Sequence, residues 1–157
     1  MNALTFRRLG VLAIIVVALP RSINAAAPAG HYVVATVSGT ATGTVYDSKS
    51  KLTWQRMVSS TVYAWAAAQT YCAGVGTSLG GTGWRLPTMK ELQSLVDYSQ
   101  SSAPLIDQTA FPATPANYFW SASAVAGSPS NAWDVNFSNG YTYYIDVSKT
   151  YNVRCVR

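Results

Sequence analysis

Tyr141, Thr142, Tyr143, Tyr144, Asp146, Tyr151 and Asn152 crowd the last part of the chain, and Asn131, Asp134, Asn136, Ser138 and Asn139 stand across a short turn from them. Tyrosine offers a large contact area at low entropy cost, and Asn or Ser adapts its hydrogen bonds, so this mixture suits recognition rather than bond-breaking. Aromatic faces also stack on sugar rings. The alternative is that these tyrosines are ordinary strand residues, half of them buried. Read as a binding surface, the candidate ligand contacts are Asp134, Asn136, Ser138, Asn139, Tyr141, Tyr143 and Tyr144.

Catalytic chemistry finds little to work with. The single histidine, His31, adjoins an Ala- and Pro-rich stretch, so no Ser/His or Cys/His pair forms and an exposed, idle imidazole is expected. Asp134 and Asp146 could meet across a hairpin, but two carboxylates without further oxygen ligands make a poor calcium cage. As an acid and base they are equally unsupported, since nothing in the sequence marks either as desolvated. Gly80-Gly81 lacks both the spacing and the Lys of a phosphate-binding loop. The expectation is a protein with no catalytic residues, no metal and no cofactor.

The elements that would position the tyrosines can be read in turn. Ala132 to Phe137 and Tyr141 to Val147 are strands, and Ser138-Asn139-Gly140 between them carries the Asn-Gly pair that favours a type I′ turn. Period-2 alternation puts Trp133, Val135 and Phe137 on one face and Asp134 and Asn136 on a second, polar one. Tyr118 to Ser123 precedes this hairpin as a strand, and Tyr151 to Arg157 follows it and closes the sheet. Upstream, Gly83-Trp84-Arg85-Leu86-Pro87-Thr88-Met89-Lys90-Glu91-Leu92 ends an extended segment and starts a helix. Thr88 and Glu91 form a capping box, the helix begins at Met89, and it runs to about Val96 to Tyr98. An earlier helix spans Tyr63 to Ala73, with Trp65, Ala68 and Cys72 on one face and Gly74 and Gly76 as its stop. Thr44 to Tyr46 and Leu52 to Arg56 read as a hairpin, His31 to Val37 as a further strand, and Gly39 to Gly43 as a flexible joint. Ser99 to Asn117 holds Pro104, Pro112 and Pro115 without a sustained period, a long connection anchored by Ile106, Phe111 and Pro112. The order of elements argues for an α+β fold, two helices packed on antiparallel sheet.

Residues 1–25 read as a secretory signal peptide: Arg7 and Arg8 supply its positive end, Val11 to Leu19 its apolar run and Ile23-Asn24-Ala25 a small-residue cleavage site. That apolar run is too short to span a bilayer, so no transmembrane segment is expected after cleavage. Residues 26–43 would then be a flexible N-terminal segment, and residues 44–157 a single domain large enough for its own core. Three of the eleven basic residues, Arg7, Arg8 and Arg21, leave with the leader, so eight face six acidic ones and the formal charge falls from +5 to about +2. The basic residues that stay form no run, which argues against nucleic acid as a partner. In an exported chain the two cysteines, Cys72 and Cys155, default to a disulfide, with a pair of free thiols as the alternative. Closing that loop would stabilise the fold by roughly 4 to 5 kcal/mol in the chain-entropy model.

Taken together, several motifs resemble one family. They are Trp54-Gln55, Trp65 with Ala66-Ala67-Ala68 and Cys72, Gly83-Trp84-Arg85-Leu86-Pro87-Thr88 with Lys90-Glu91-Leu92, Ile106-Asp107 with Phe111-Pro112, Phe119-Trp120-Ser121-Ala122-Ser123, Ala132 to Phe137 with Asn139-Gly140, and Val153-Arg154-Cys155-Val156-Arg157. Their identities and order are similar to the Lcl C-terminal domain, the end of a bacterial collagen-like adhesin. The resemblance covers roughly residues 44–157. It implies a C-type-lectin-like fold related to the sulfatase-modifying, formylglycine-generating fold, found in exported bacterial proteins. For that adhesin it implies binding of sulfated polysaccharides and association as a trimer. The Glu-Pro-Asn and Gln-Pro-Asp motifs of calcium-dependent lectins do not occur here, so calcium-mediated sugar binding is not implied.

The expectation is therefore an exported or surface-located, disulfide-linked binding domain whose Tyr/Asn-rich hairpin contacts a surface glycan or protein. Trp84, Leu86, Leu92, Trp120 and Trp133 would build its core, and Arg85 would make a structural contact. An enzyme related to the sulfatase-modifying oxidases is the alternative from another class. A variable binding protein of a diversity-generating retroelement is another, because similar domains carry their variation near the C-terminus, where Asn131 to Asn152 lie.

Overall fold

The computed structural model describes residues 28–37 and 40–157, so the expected leader at 1–25 lies outside the described residues. Among the described residues there are two three-stranded antiparallel sheets and three short helices, an α+β arrangement. The first sheet joins β1 (Tyr32–Val37), β2 (Thr40–Asp47) and β3 (Thr53–Gln55), and the second joins β4 (Tyr118–Val125), β5 (Ser128–Asn136) and β6 (Thr142–Asp146), each in sequence order. Between them lie α1 (Trp65–Gly74), α2 (Gly76–Leu79) and α3 (Met89–Gln93). The small residues at 40–43 are strand, not the flexible joint their composition suggests. Among the described residues no helix is long and apolar enough to cross a membrane.

The second sheet and the last residues of the chain form a middle layer with core on both sides. Phe119, Val135 and Phe137 turn toward Leu92, Leu95, Ile106, Phe111, Val45 and Trp54. Trp120 and Ala132 turn the other way, with Val153 and Cys155, toward Ala68, Cys72, Trp84 and Leu86. Contrary to expectation, residues 151–157 do not add a continuous strand that closes the sheet. They thread between elements through isolated bridges, Tyr151 to Tyr63, Asn152 to Phe119, and Val156 to both Trp54 and Arg85. Successive side chains of this extended segment therefore enter opposite cores. The disulfide fixes the arrangement: Cys72 of α1 bonds Cys155, with Cα atoms 5.3 Å apart and 83 positions between them in sequence.

The start of α3 follows its local chemistry. Thr88 Oγ1 accepts the Glu91 N–H at 3.3 Å and Glu91 Oε2 accepts the Thr88 N–H at 2.8 Å, a complete capping box. Arg85 donates both guanidinium nitrogens to Glu91, at 2.8 and 2.7 Å, so its contact is structural. The α-helix ends at Gln93, earlier than the apolar spacing suggests, and Leu95 and Val96 close tighter turns onto Leu92 and Gln93. Those turns keep Leu95 buried beside Leu92 without further helix. Gly76, expected only to stop α1, instead opens the single turn α2, which a backbone of short side chains permits. Trp84 caps that turn by donating its indole N–H to Gly80 O at 2.9 Å. Ile106 and Phe111 are fully buried, so the long connection is anchored as expected.

Two expectations about burial are corrected. Trp133 is only half-buried, packed edge-on against Tyr144 at 5.5 Å, because it lies beyond the end of the core that receives Val135 and Phe137. His31 is not idle: its Nε2 lies 3.0 Å from Asp47 Oδ1 and its ring stacks on Tyr32 at 4.2 Å.

Candidate functional site

The β5–β6 hairpin is built by its own asparagines. Asn136 Oδ1 accepts the Ser138 N–H at 2.9 Å, and Asn139 Oδ1 accepts the Tyr141 N–H at 3.0 Å. Asn136 O receives both the Asn139 and Gly140 N–H groups, at 3.3 and 2.7 Å. Only Gly140 has positive φ, at 77°, so this is a longer loop and not the type I′ turn expected from Asn-Gly. Asn side chains bonding to backbone two residues on compete with the tighter turn and win here. Gly140 is also required sterically, since a Cβ there would lie 2.6 Å from the Tyr98 ring and 2.8 Å from Val96.

That close approach recruits a residue the sequence did not single out. Tyr98, 64 % exposed, donates its hydroxyl to Gly140 O at 2.9 Å and so joins the loop. Tyr141 and Tyr144 are each 61 % exposed and Tyr143 is 38 % exposed. Tyr98 and Tyr141 thus flank one loop, with Ser138 exposed beside them and Tyr143 bonded to its Asn139, while Tyr144 is exposed on the other face of β6 and Tyr46 is a further exposed tyrosine on β2. Tyr143 holds its place through Asn139, whose Nδ2 donates to Tyr143 Oη at 3.0 Å.

The seven candidate residues separate into two groups. Ser138, Asn139, Tyr141, Tyr143 and Tyr144 lie at the surface of the hairpin, whereas Asn136 is nearly buried and folds the loop. Asp134 is fully buried, so the polar face expected to stand open beside the tyrosines is corrected at both positions. Asp134 and Asn136 do share one face of β5, but Tyr151 and the last residues of the chain cover it. Tyr143 and Tyr144, successive in β6, project to opposite sides: Tyr143 pairs with Asp134, and Tyr144 with Trp133.

Asp134 is also desolvated, contrary to expectation. Among the described residues neither carboxylate oxygen has a hydrogen-bond partner, and burial pushes its pKa up to about 6. Asp146 cannot join it as acid and base. It pairs with Asn131 and therefore lies on the other face of the sheet, where its own hydrogen bonds to Ser148 lower its pKa. No group of three or more His, Cys, Asp or Glu side chains among the described residues could hold a metal ion.

The stretch of sequence that contains the hairpin is unevenly charged. From residue 91 to residue 153 the sequence holds five acidic residues, Glu91, Asp97, Asp107, Asp134 and Asp146, against one basic residue, Lys149. A second recess, of about 220 Å³, lies far from the hairpin in sequence, lined in part by His31, Tyr32, Lys49, Asp97 and Asp107.

The family model of the Lcl C-terminal domain matches residues 43–157. The chain belongs to the Lcl C-terminal domain family. The match takes in β3, all three helices, the second sheet and the disulfide, so the hairpin and its tyrosines lie within the Lcl C-terminal domain and the recess at His31 straddles its border. At the level of the family this is an adhesin-like domain. No curated protein matches the chain.

Proposed function

We propose that this Lcl C-terminal domain is a non-catalytic recognition module, exported and displayed outside the cell, that binds a surface glycan through its tyrosine-ringed hairpin. The observation that carries the reading is the exposure of Tyr98, Tyr141 and Tyr143 at the loop that Gly140 draws against Tyr98, with Tyr144 exposed on the adjoining strand. Rings held on a disulfide-tied framework present stacking surfaces to sugars with little entropy left to lose. The C-type-lectin-like relation implied by the motifs agrees with such a use of a hairpin tip. The charged side chains on the hairpin strands, Asp134 and Asp146, are both acidic, which argues for a neutral or positively substituted glycan over a sulfated one. The oxidase-like alternative would need reactive thiols, and the Cys72–Cys155 bond occupies both.

The test is an array of neutral, aminated and sulfated glycans probed with the wild-type protein and the Tyr141→Ala/Tyr144→Ala variant. Binding that the double substitution abolishes, with a melting temperature within a few degrees of wild type, supports the reading. Binding unaffected by the substitution moves the site elsewhere. An array that stays dark while a surface protein is retained on the wild-type chain, and not on the variant, makes the ligand a protein.

A further inference from the structure

The side chains around Asp134 form a closed circuit. Its two cross-strand partners are Trp120 of β4 and Tyr143 of β6, so all three side chains share one face of the sheet. From Trp120 the aromatic contacts continue to Tyr151 at 5.1 Å, from Tyr151 to Tyr118 at 5.1 Å, and from Tyr118 to Tyr143 at 5.8 Å. Four rings therefore run from one neighbour of the carboxylate round to the other. Closing the circuit between Trp120 and Tyr143 is an acid with no exposed surface and no hydrogen-bond partner among the described residues.

A buried carboxylate with nothing to bond is costly even when it stays protonated. In a core that needed only packing, Leu would serve better. Aromatic faces attract cations through the ring quadrupole, and a carboxylate beneath them adds a full counter-charge in a desolvated place. We propose that Asp134 and the ring of Trp120, Tyr118, Tyr143 and Tyr151 are a cage for a quaternary ammonium group carried by the ligand. The proposal rests on the reading of this hairpin as a glycan-binding face and names the substituent it would recognise.

The acceptor count favours a quaternary over a primary ammonium. A primary ammonium carries three N–H donors that must each find an acceptor on burial. The cage offers one carboxylate and otherwise ring faces, which suit a cation sheathed in methyl groups. Entry falls to Tyr143. It sits on β6, the last strand of its sheet, is about one-third exposed, and is tethered at its hydroxyl by Asn139 alone among the described residues. Rotating one such side chain is an ordinary adjustment on binding. Tyr118 and Tyr151 would stay in place, held by the Asn152 side chain bonded to Tyr118 O and by the mutual backbone bonds of Tyr151 and Tyr63.

Choline chloride titrated into the protein, followed by indole fluorescence and by amide and indole NMR shifts, tests the assignment. Expected are saturable shifts centred on residues 118, 120, 134, 143 and 151, absent with sodium chloride at equal ionic strength. Asp134→Asn should weaken choline binding by roughly tenfold, a loss of about 1.4 kcal/mol, and glucosamine hydrochloride should bind more weakly than choline. Tyr143→Phe keeps the ring and frees it from Asn139, so it should bind choline at least as well as wild type, whereas Tyr143→Ala should bind it less well. No saturation, equal binding by Asp134→Asn, shifts centred elsewhere, or tighter binding of glucosamine would each overturn the assignment. If choline fails while the Tyr141→Ala/Tyr144→Ala variant still loses glycan binding, the cage is wrong and the recognition face stands.

Discussion

Arg154 and Asp134 are both charged residues without exposed surface, and the protein treats them in opposite ways. Arg154 donates to Gln55 O at 2.7 Å, Arg56 O at 2.6 Å and Thr114 Oγ1 at 2.7 Å, and its guanidinium lies 4.7 Å from the Phe111 ring centre. Even so, burial lowers its pKa to about 9. Its bonds tie the last residues of the chain to the end of β3 and to the long connection, so the charge is spent on holding three segments together. Asp134 has rings around it and no such bonds. One buried charge holds the framework through three hydrogen bonds, with only its Nε unbonded; the other makes none and lies beside the hairpin tyrosines. The contrast separates a framework from a site.

Breaking the framework should have the largest effects. Arg154→Ala would strand the carbonyls of Gln55 and Arg56 and leave a cavity beside Phe111, for an expected loss of about 4 kcal/mol in denaturant unfolding. Arg154→Lys would not rescue it, because one ammonium cannot reproduce the guanidinium fork. Opening the disulfide with Cys72→Ala and Cys155→Ala together should lower stability by about 3 to 4 kcal/mol in the same measurement.

The site should respond with the opposite sign as pH rises. Asp134 has a folded pKa of about 6 against an ordinary value near 4, so the folded state binds its proton more tightly than the unfolded one. Stability from this group is fully present below about pH 4 and is lost as pH rises through about 6, a change on the order of 2 to 3 kcal/mol. Asp134→Asn should remove that part of the slope, making unfolding free energy between pH 4 and 7.5 flatter than in wild type. Glu91 is the smaller, mirror-image case. The hydrogen bonds from Arg85 hold its pKa down to about 2, so its contribution is present above about pH 4 and is lost on acidification toward pH 2. Glu91→Ala should cost about 1 kcal/mol at neutral pH, since this pair is partly exposed and screened, with the difference from wild type vanishing at low pH.

Local signals made the framework legible in the sequence. The Thr88/Glu91 box, the stacking of Ala68 and Cys72 on one face of α1, the proline-rich connection and the strand alternation each depend on residues a few positions apart. The Cys72–Cys155 pair was legible because the leader-like start suggests an oxidising compartment, where a chain with two cysteines leaves few alternatives. Arg154 was not, because its acceptors lie about a hundred residues away in β3 and forty away at Thr114. For Asp134 the strand pattern gave the right face and the wrong exposure, since what covers that face comes from the far end of the chain. Trp133 failed in the converse way, apolar yet beyond the reach of the core it faces. Tyr98 carried no signal of its own; only the steric need for Gly140 against its ring reveals it.

The difference between the two buried charges is most directly measured by NMR titration of the Asp134 side-chain carboxyl carbon in the folded protein. A midpoint close to 6, well above an ordinary aspartate, is what an unpartnered acid enclosed by aromatic rings requires. A midpoint near 4 or below would mean that the carboxylate is hydrated or paired, and the hairpin would then hold no charge set apart for a ligand.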